Sequence, residues 1–159
     1  MKYFIDTEFA ERPCSIELIS LAIVAEDGRE FYAESSDFQD DMANEWVRSN
    51  VLSQLWSRQS DKLESFNHLA SDDGYGGFMD RVSIAISVRS FIGDDKPEFW
   101  GYYCDYDWVA FSWLFGSMVD LPRGFPMYCK DIKQSADERG VELSSSPIDG
   151  EHHALVDAR

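Results

Sequence analysis

Residues 16–24 read Ile-Glu-Leu-Ile-Ser-Leu-Ala-Ile-Val, a nearly continuous apolar run rich in β-branched side chains. A segment from Ser15 to Ala25 that is apolar at both parities suits a central strand covered on both faces. Glu26-Asp27-Gly28-Arg29 follows. Asp-Gly is the strongest short hairpin signal, so a third strand is expected from Glu30 to Ala33. Lys2 to Ile5 supplies a first strand, and the chain therefore opens as an antiparallel meander.

After Asp37 the period changes. Met42, Trp46, Val47, Val51 and Leu55 fall at helical spacing. Ser57 to Gly77 is polar, holds three glycines, and reads as a loop or lid of weak order. Met79 to Ile92 fits both periods, and its length favours helix. Pro97 to Tyr102 reads as a strand, Asp107 to Phe115 as a helix ended by Gly116, and Met127 to Cys129 as a short strand. A charged helix is expected from Ile132 to Arg139, closed by Gly140. Ser144 to Glu151 reads as a loop, and a last helix begins near His152 or His153. A meander followed by alternating helices and strands implies an α/β fold, a mixed sheet with helices packed on it. A chain of 159 residues with no convincing linker is expected to be a single domain.

Charge narrows the function classes. Asp and Glu number 30 against 14 Lys and Arg, a formal charge of -16. Phosphate contacts need cations, so a broad basic nucleic-acid face is disfavoured. A nucleic-acid enzyme whose positive charge comes from bound metal remains open. No window approaches the ~18 apolar residues of a membrane span, and the early Asp6 argues against a secretory signal. Cys14, Cys104 and Cys129 lack paired metal-ligand spacing and read as free thiols of a reducing cytoplasm.

Three acidic constellations could carry chemistry. Asp6-Thr7-Glu8 stands at the exit of the first strand, where residues i and i+2 point to one side. Two carboxylates sharing a site repel unless a cation lies between them, and oxygen ligands suit Mg²⁺ or Mn²⁺. In so acidic a chain Asp-x-Glu also arises by chance, as a strand end meeting solvent. The second constellation, Tyr103-Cys104-Asp105-Tyr106-Asp107-Trp108, lies at a strand–helix junction. There an acid could reach the same sheet edge or simply cap the helix. The third, His152-His153-Ala154-Leu155-Val156-Asp157, sets an imidazole and a carboxylate on an otherwise apolar turn.

Taken in order, Asp-x-Glu, aromatic-Asp and His-x-Ala-x-x-Asp resemble the three motifs of DEDDh 3'-5' exonucleases. Phe4-Ile5-Asp6-Thr7-Glu8-Phe9 is similar to the first motif and His152 to Ala158 to the third. Tyr3 to Phe9, Ile16 to Tyr32, Trp46-Val47-Arg48 and His152 to Arg159 look most like the mycobacterial-type exoribonucleases described as polyadenylate-specific. The resemblance implies a ribonuclease H-like fold with a five-stranded mixed sheet, its first three strands antiparallel, flanked by helices. It also makes Met79 to Ile92 a helix.

The resemblance further implies two Mg²⁺ or Mn²⁺ ions held by Asp6, Glu8, Asp107 and Asp157. Asp6 would bridge both ions, Glu8 and Asp157 would complete the first, and Asp107 would act directly or through water. His152 would be the general base. The reaction would release nucleoside 5'-monophosphates from the 3' end of single-stranded RNA, favouring adenosine tracts. DNA is the competing substrate, since no residue here clearly reads a 2'-hydroxyl. A silent binding module on the same fold is a different reading, which retention of all five residues argues against.

Thr7, Phe9 and Trp108 are the expected substrate contacts. The two aromatic rings offer stacking surfaces for terminal bases, and either ring could equally be core. Some residues depart from the pattern. Tyr103 holds the place of an Asn found in many relatives. Asp105 is an alternative to Asp107, which is favoured by its aromatic neighbour. His153 adjoins His152, which alone has the five-residue interval to Asp157. Relatives form dimers and continue a helix past the last motif, so a homodimer and a natural chain extending beyond Arg159 are expected.

Overall fold

The computed structural model describes residues 1–64, 66, 76–143 and 152–159. The expected meander forms the middle of the sheet. Strands β1 (Lys2–Arg12), β2 (Ser15–Ala25) and β3 (Glu30–Ser35) pair antiparallel in sequence. Gly28 turns the second hairpin with φ +90, a conformation in which glycine carries no Cβ penalty.

The remaining strands add in parallel: β4 (Gly76–Met79) on β3, β5 (Glu98–Gly101) on β1, and β6 (Lys130–Asp131) on β5. The described sheet thus has six strands, in the order β4-β3-β2-β1-β5-β6, rather than the expected five. The extra strand lies partly in the segment read as a loop, because glycines at 76 and 77 erase any strand signal. Gly76 is there for proximity, since a Cβ on it would sit 2.1 Å from the carbonyl oxygen of Tyr32 on β3, and Gly77 takes φ 124. The rest of that expected loop includes residues 65 and 67–75, which lie outside the described residues, as does all of the loop expected over 144–151.

The first strand also runs further than its apolar run suggested. Pairing with β2 carries it through Arg12, so Asp6 and Glu8 sit in mid-strand and not at its exit. Along β1, Tyr3, Ile5 and Phe9 face one core, while Phe4, Asp6, Glu8 and Ala10 face the other way. A slip of one residue would bury the acids among aromatic rings and expose Ile5, so the register is strongly fixed. Opposite Glu8 and Phe9 the pairing shifts from Ser20 to Leu18, leaving Ile19 as the extra residue of a bulge in β2.

On the first face pack α2 (Arg81–Ile92) and α3 (Asp105–Trp113), burying Ile84, Val88, Phe91, Trp108 and Phe111 against Tyr3, Leu21, Phe31 and Phe99. Helix α2 settles the ambiguous segment. Asp80 caps it by accepting the Ser83 N–H at 2.8 Å, while Met79 belongs to β4. Helix α3 starts two residues earlier than expected, with Cys104 rather than either aspartate at its N-cap.

The second face is covered by two groups. Helix α1 (Glu45–Val47) continues as a π-helical stretch, Arg48–Leu52, and buries Val47, Val51 and Leu52 on Ala10 and Ile19. Helix α5 (Ala154–Ala158) buries Ala154 and Leu155 against Ala22 and Tyr32. Helix α4 (Ile132–Glu138) follows β6, which begins after the expected strand at Met127–Cys129. No described helix is long and apolar enough to cross a membrane.

Candidate metal and catalytic site

Three elements distant in sequence meet at the middle of β1. Strand alternation puts Asp6 and Glu8 on the face that α5 covers. Asp107, in the first turn of α3, is buried against the same strand. Its Oδ1 accepts both the Thr7 N–H at 2.8 Å and the Thr7 hydroxyl at 2.6 Å. Asp105 is exposed, so of the two middle-motif acids it is Asp107 that joins β1.

The third motif closes the group. His152 has φ 69, a left-handed conformation uncommon outside glycine and typical of strained functional positions. Its N–H donates to Asp157 Oδ2 at 3.0 Å. This is the physical content of the five-residue interval: a carboxylate in the first turn of α5 reaches back to hold the residue before the cap. One ligand atom each of Glu8, His152 and Asp157 lies within 4.8 Å of the others.

His153 goes elsewhere. Its ring lies in the core, 4.7 Å from Tyr32 and 5.2 Å from Trp56 between ring centres. Burial pushes it down to about 4, which keeps it neutral.

The electrostatics are those of crowded carboxylates. Burial, then the charges of Asp107, Glu8 and Asp157, hold the Asp6 carboxyl well above the ordinary carboxylate range. Burial, then Asp157 and Asp107, push Glu8 up to about 8. Burial raises Asp107 as well, against the two Thr7 hydrogen bonds that favour its charged form. Among the described residues no lysine or arginine forms an ion pair with Asp6, Glu8 or Asp107. Clustered carboxylates beside one imidazole are a donor set suited to a hard divalent cation.

Two of the expected substrate contacts change character. Trp108 is only 8% exposed and packs on Phe99 and Phe111 at 5.4 and 5.2 Å, so its ring serves the core rather than a base. Its helix buries positions 107, 108, 110 and 111 together, which the aromatic-after-acid pattern does not disclose. Thr7 is buried with its hydroxyl engaged by Asp107, which gives it a positioning role. Phe9 is half-buried and stacks on Tyr106 at 5.9 Å and 21°.

Sequence reasoning passed over two aromatic neighbours of the site. Tyr106, directly before Asp107, is exposed. Trp46 is 53% exposed and meets the His152 ring edge-on at 4.9 Å. Trp46 falls at helical spacing with Val47, Val51 and Leu55, but it is Val47, about 100° round the helix, that joins the core.

The 3'-5' exoribonuclease Rv2179c-like domain family matches residues 1–159. Two relatives from Mycobacterium tuberculosis are 38% identical to this chain over 167 residues, covering all of it and 88% of each relative. They are the 3'-5' exoribonuclease Rv2179c of strain H37Rv and the 3'-5' exoribonuclease MT2234.1 of strain CDC 1551. The chain accordingly belongs to the 3'-5' exoribonuclease Rv2179c-like domain family.

Proposed function

We propose that this chain is a DEDDh-type, metal-dependent 3'-5' exoribonuclease that hydrolyses single-stranded RNA from its 3' end to nucleoside 5'-monophosphates. The observation that carries the reading is the meeting of Glu8, His152 and Asp157 within 4.8 Å, with Asp6 and Asp107 close enough for their charges to act on the same carboxyls. We read residues 1–159 as one domain of ribonuclease H-like type, built on the six-stranded sheet β4-β3-β2-β1-β5-β6.

The four carboxylates would hold two divalent cations, Mg²⁺ or Mn²⁺. When bound, these supply charge neutralisation for the acids and the scissile phosphate, together with Lewis acidity. Every other part of the reaction falls to the chain's own groups. A ring nitrogen of His152 accepts a proton from the attacking water, whose oxygen bonds to the terminal phosphorus. The bond from phosphorus to the 3'-oxygen of the preceding nucleotide breaks, and that oxygen takes a proton from solvent, so the shortened strand leaves with a 3'-hydroxyl. The edge-on contact with Trp46 and the backbone bond to Asp157 orient the imidazole. Thr7 holds Asp107. Phe9 with Tyr106 on one side and Trp46 on the other offer rings on which bases of any sequence can stack.

The test is a 5'-labelled single-stranded RNA, and the DNA of the same sequence, incubated with Mn²⁺, Mg²⁺ or EDTA. Stepwise shortening of RNA that needs the metal and is lost in Asp6→Ala is the expected result. Faster cleavage of DNA would reassign the substrate. Tight binding with no shortening under any metal would overturn the enzymatic reading.

A further inference from the structure

Asp131, the last residue of β6, is engaged at both oxygens. Its Oδ1 accepts the N–H of Gln134 at 2.8 Å, the ordinary N-cap bond of α4. Its Oδ2 reaches back 27 residues and accepts the N–H of Cys104 at 2.9 Å. Cys104 is the N-cap residue of α3 and supplies no side-chain cap of its own. One carboxylate therefore stands at the start of two helices, where both dipoles favour negative charge.

The start of α3 needs such an anchor. The chain enters it through a cramped turn, in which a Cβ on Gly101 would lie 2.6 Å from Cys104 Cβ. Tyr103 takes φ 55, a conformation uncommon outside glycine. The third residue of that helix is Asp107. Its carboxylate is held from β1 by Thr7, but its backbone goes wherever the first turn of α3 begins. Cys104 Sγ also meets the Lys130 carbonyl at 3.7 Å, so β6 touches this turn at two points. The metal site is thus braced from both flanks of the sheet centre.

We infer that Asp131 is a positioning residue for the metal site: by capping α3 from β6 it sets where Asp107 presents its carboxylate. This rests on the metal-site reading above. Removing an outer-shell partner of a ligand weakens metal binding by about 10–100-fold.

The test is Mn²⁺ binding by the whole chain, followed by calorimetry without RNA, in wild type, Asp131→Ala, Asp131→Asn and Gln134→Pro. Asp131→Ala is expected to weaken Mn²⁺ by at least ~10-fold, with the KM for RNA at saturating Mn²⁺ almost unchanged. Asp131→Asn, with one acceptor oxygen for two N–H groups, should fall between. Gln134→Pro removes only the bond to α4, at a first-turn position that tolerates proline, and should bind Mn²⁺ as wild type does. A folded Asp131→Ala with the wild-type isotherm overturns the inference. If Asp131→Ala does not fold, Asp131→Asn decides: equal weakening in Asp131→Asn and Gln134→Pro, or none in Asp131→Asn, overturns it. A wild-type chain that binds no Mn²⁺ sinks the metal site itself, a failure distinguishable from the others.

Discussion

Replacing Glu8 by Gln should stabilise the metal-free protein, and do so only at high pH. Glu8 is pushed from its ordinary 4.5 to about 8 by burial first, then by Asp157 and Asp107. In the unfolded chain it ionises near 4.5. Below that pH it is neutral in both states, and its full contribution to stability is present. As pH rises toward 8, folding must take up a proton or bury a charge, so stability is progressively lost. The interval is about 3.5 pH units at ~1.4 kcal/mol each, about 5 kcal/mol as an upper figure. Asp6 shares the same repulsion, which brings the expected gain in Glu8→Gln to about 3–5 kcal/mol above pH 8. Near pH 4 the two proteins should agree within ~0.5 kcal/mol. Urea unfolding in EDTA, followed by tryptophan fluorescence at both pH values, measures the difference. Mn²⁺ should narrow the difference, since a ligand at about 100 times its Kd stabilises by ~2.7 kcal/mol only the protein that binds it. A Glu8→Gln protein with no advantage at pH 8.5, or with the same advantage at pH 4, would refute the account of the site as repelling carboxylates awaiting cations.

Thr7→Val keeps the backbone N–H to Asp107 but loses the hydroxyl bond. It should weaken Mn²⁺ binding by about 10-fold with little change in KM for RNA, read by calorimetry and steady-state kinetics. Trp46→Ala should leave the melting temperature almost unchanged and raise the KM for RNA by roughly 5- to 150-fold, one stacked base being worth about 1–3 kcal/mol. Trp108→Ala should instead unfold the core, at a cost of about 3–5 kcal/mol. Gly76→Ala forces a Cβ against the Tyr32 carbonyl. Denaturant unfolding should show a loss of about 1–3 kcal/mol, with Mn²⁺ affinity unaltered.

The meander was readable because two local signals agreed: an Asp-Gly turn and a run apolar on both faces. That run hid one thing, the bulge at Ile19. Leu18 and Leu21, three apart, face the same core because of it, and no period of two can show that. Strand β4 was invisible because what pairs it is backbone proximity, which selects glycine and erases strand propensity. At the site, residue types and their order pointed to the acids and to His152 over His153. They could not reveal which groups hold those acids. The Thr7–Asp107 bond spans 100 residues and the Asp131–Cys104 bond 27, and neither leaves a local trace. That Trp46 is exposed and Trp108 buried was hidden for a similar reason, since exposure of a ring depends on the partner element and not on its own helix.

The span between the ligands bears on when the site can exist. Asp6 and Glu8 are synthesised early, Asp107 about a hundred residues later, and His152 and Asp157 later again. At roughly 5–20 residues per second, the first acids wait on the order of ten seconds for the last. During that time the nascent chain lacks His152 and Asp157, two members of the proposed site. Whatever metal-dependent chemistry the proposed site supports can therefore begin only after its third motif has been made.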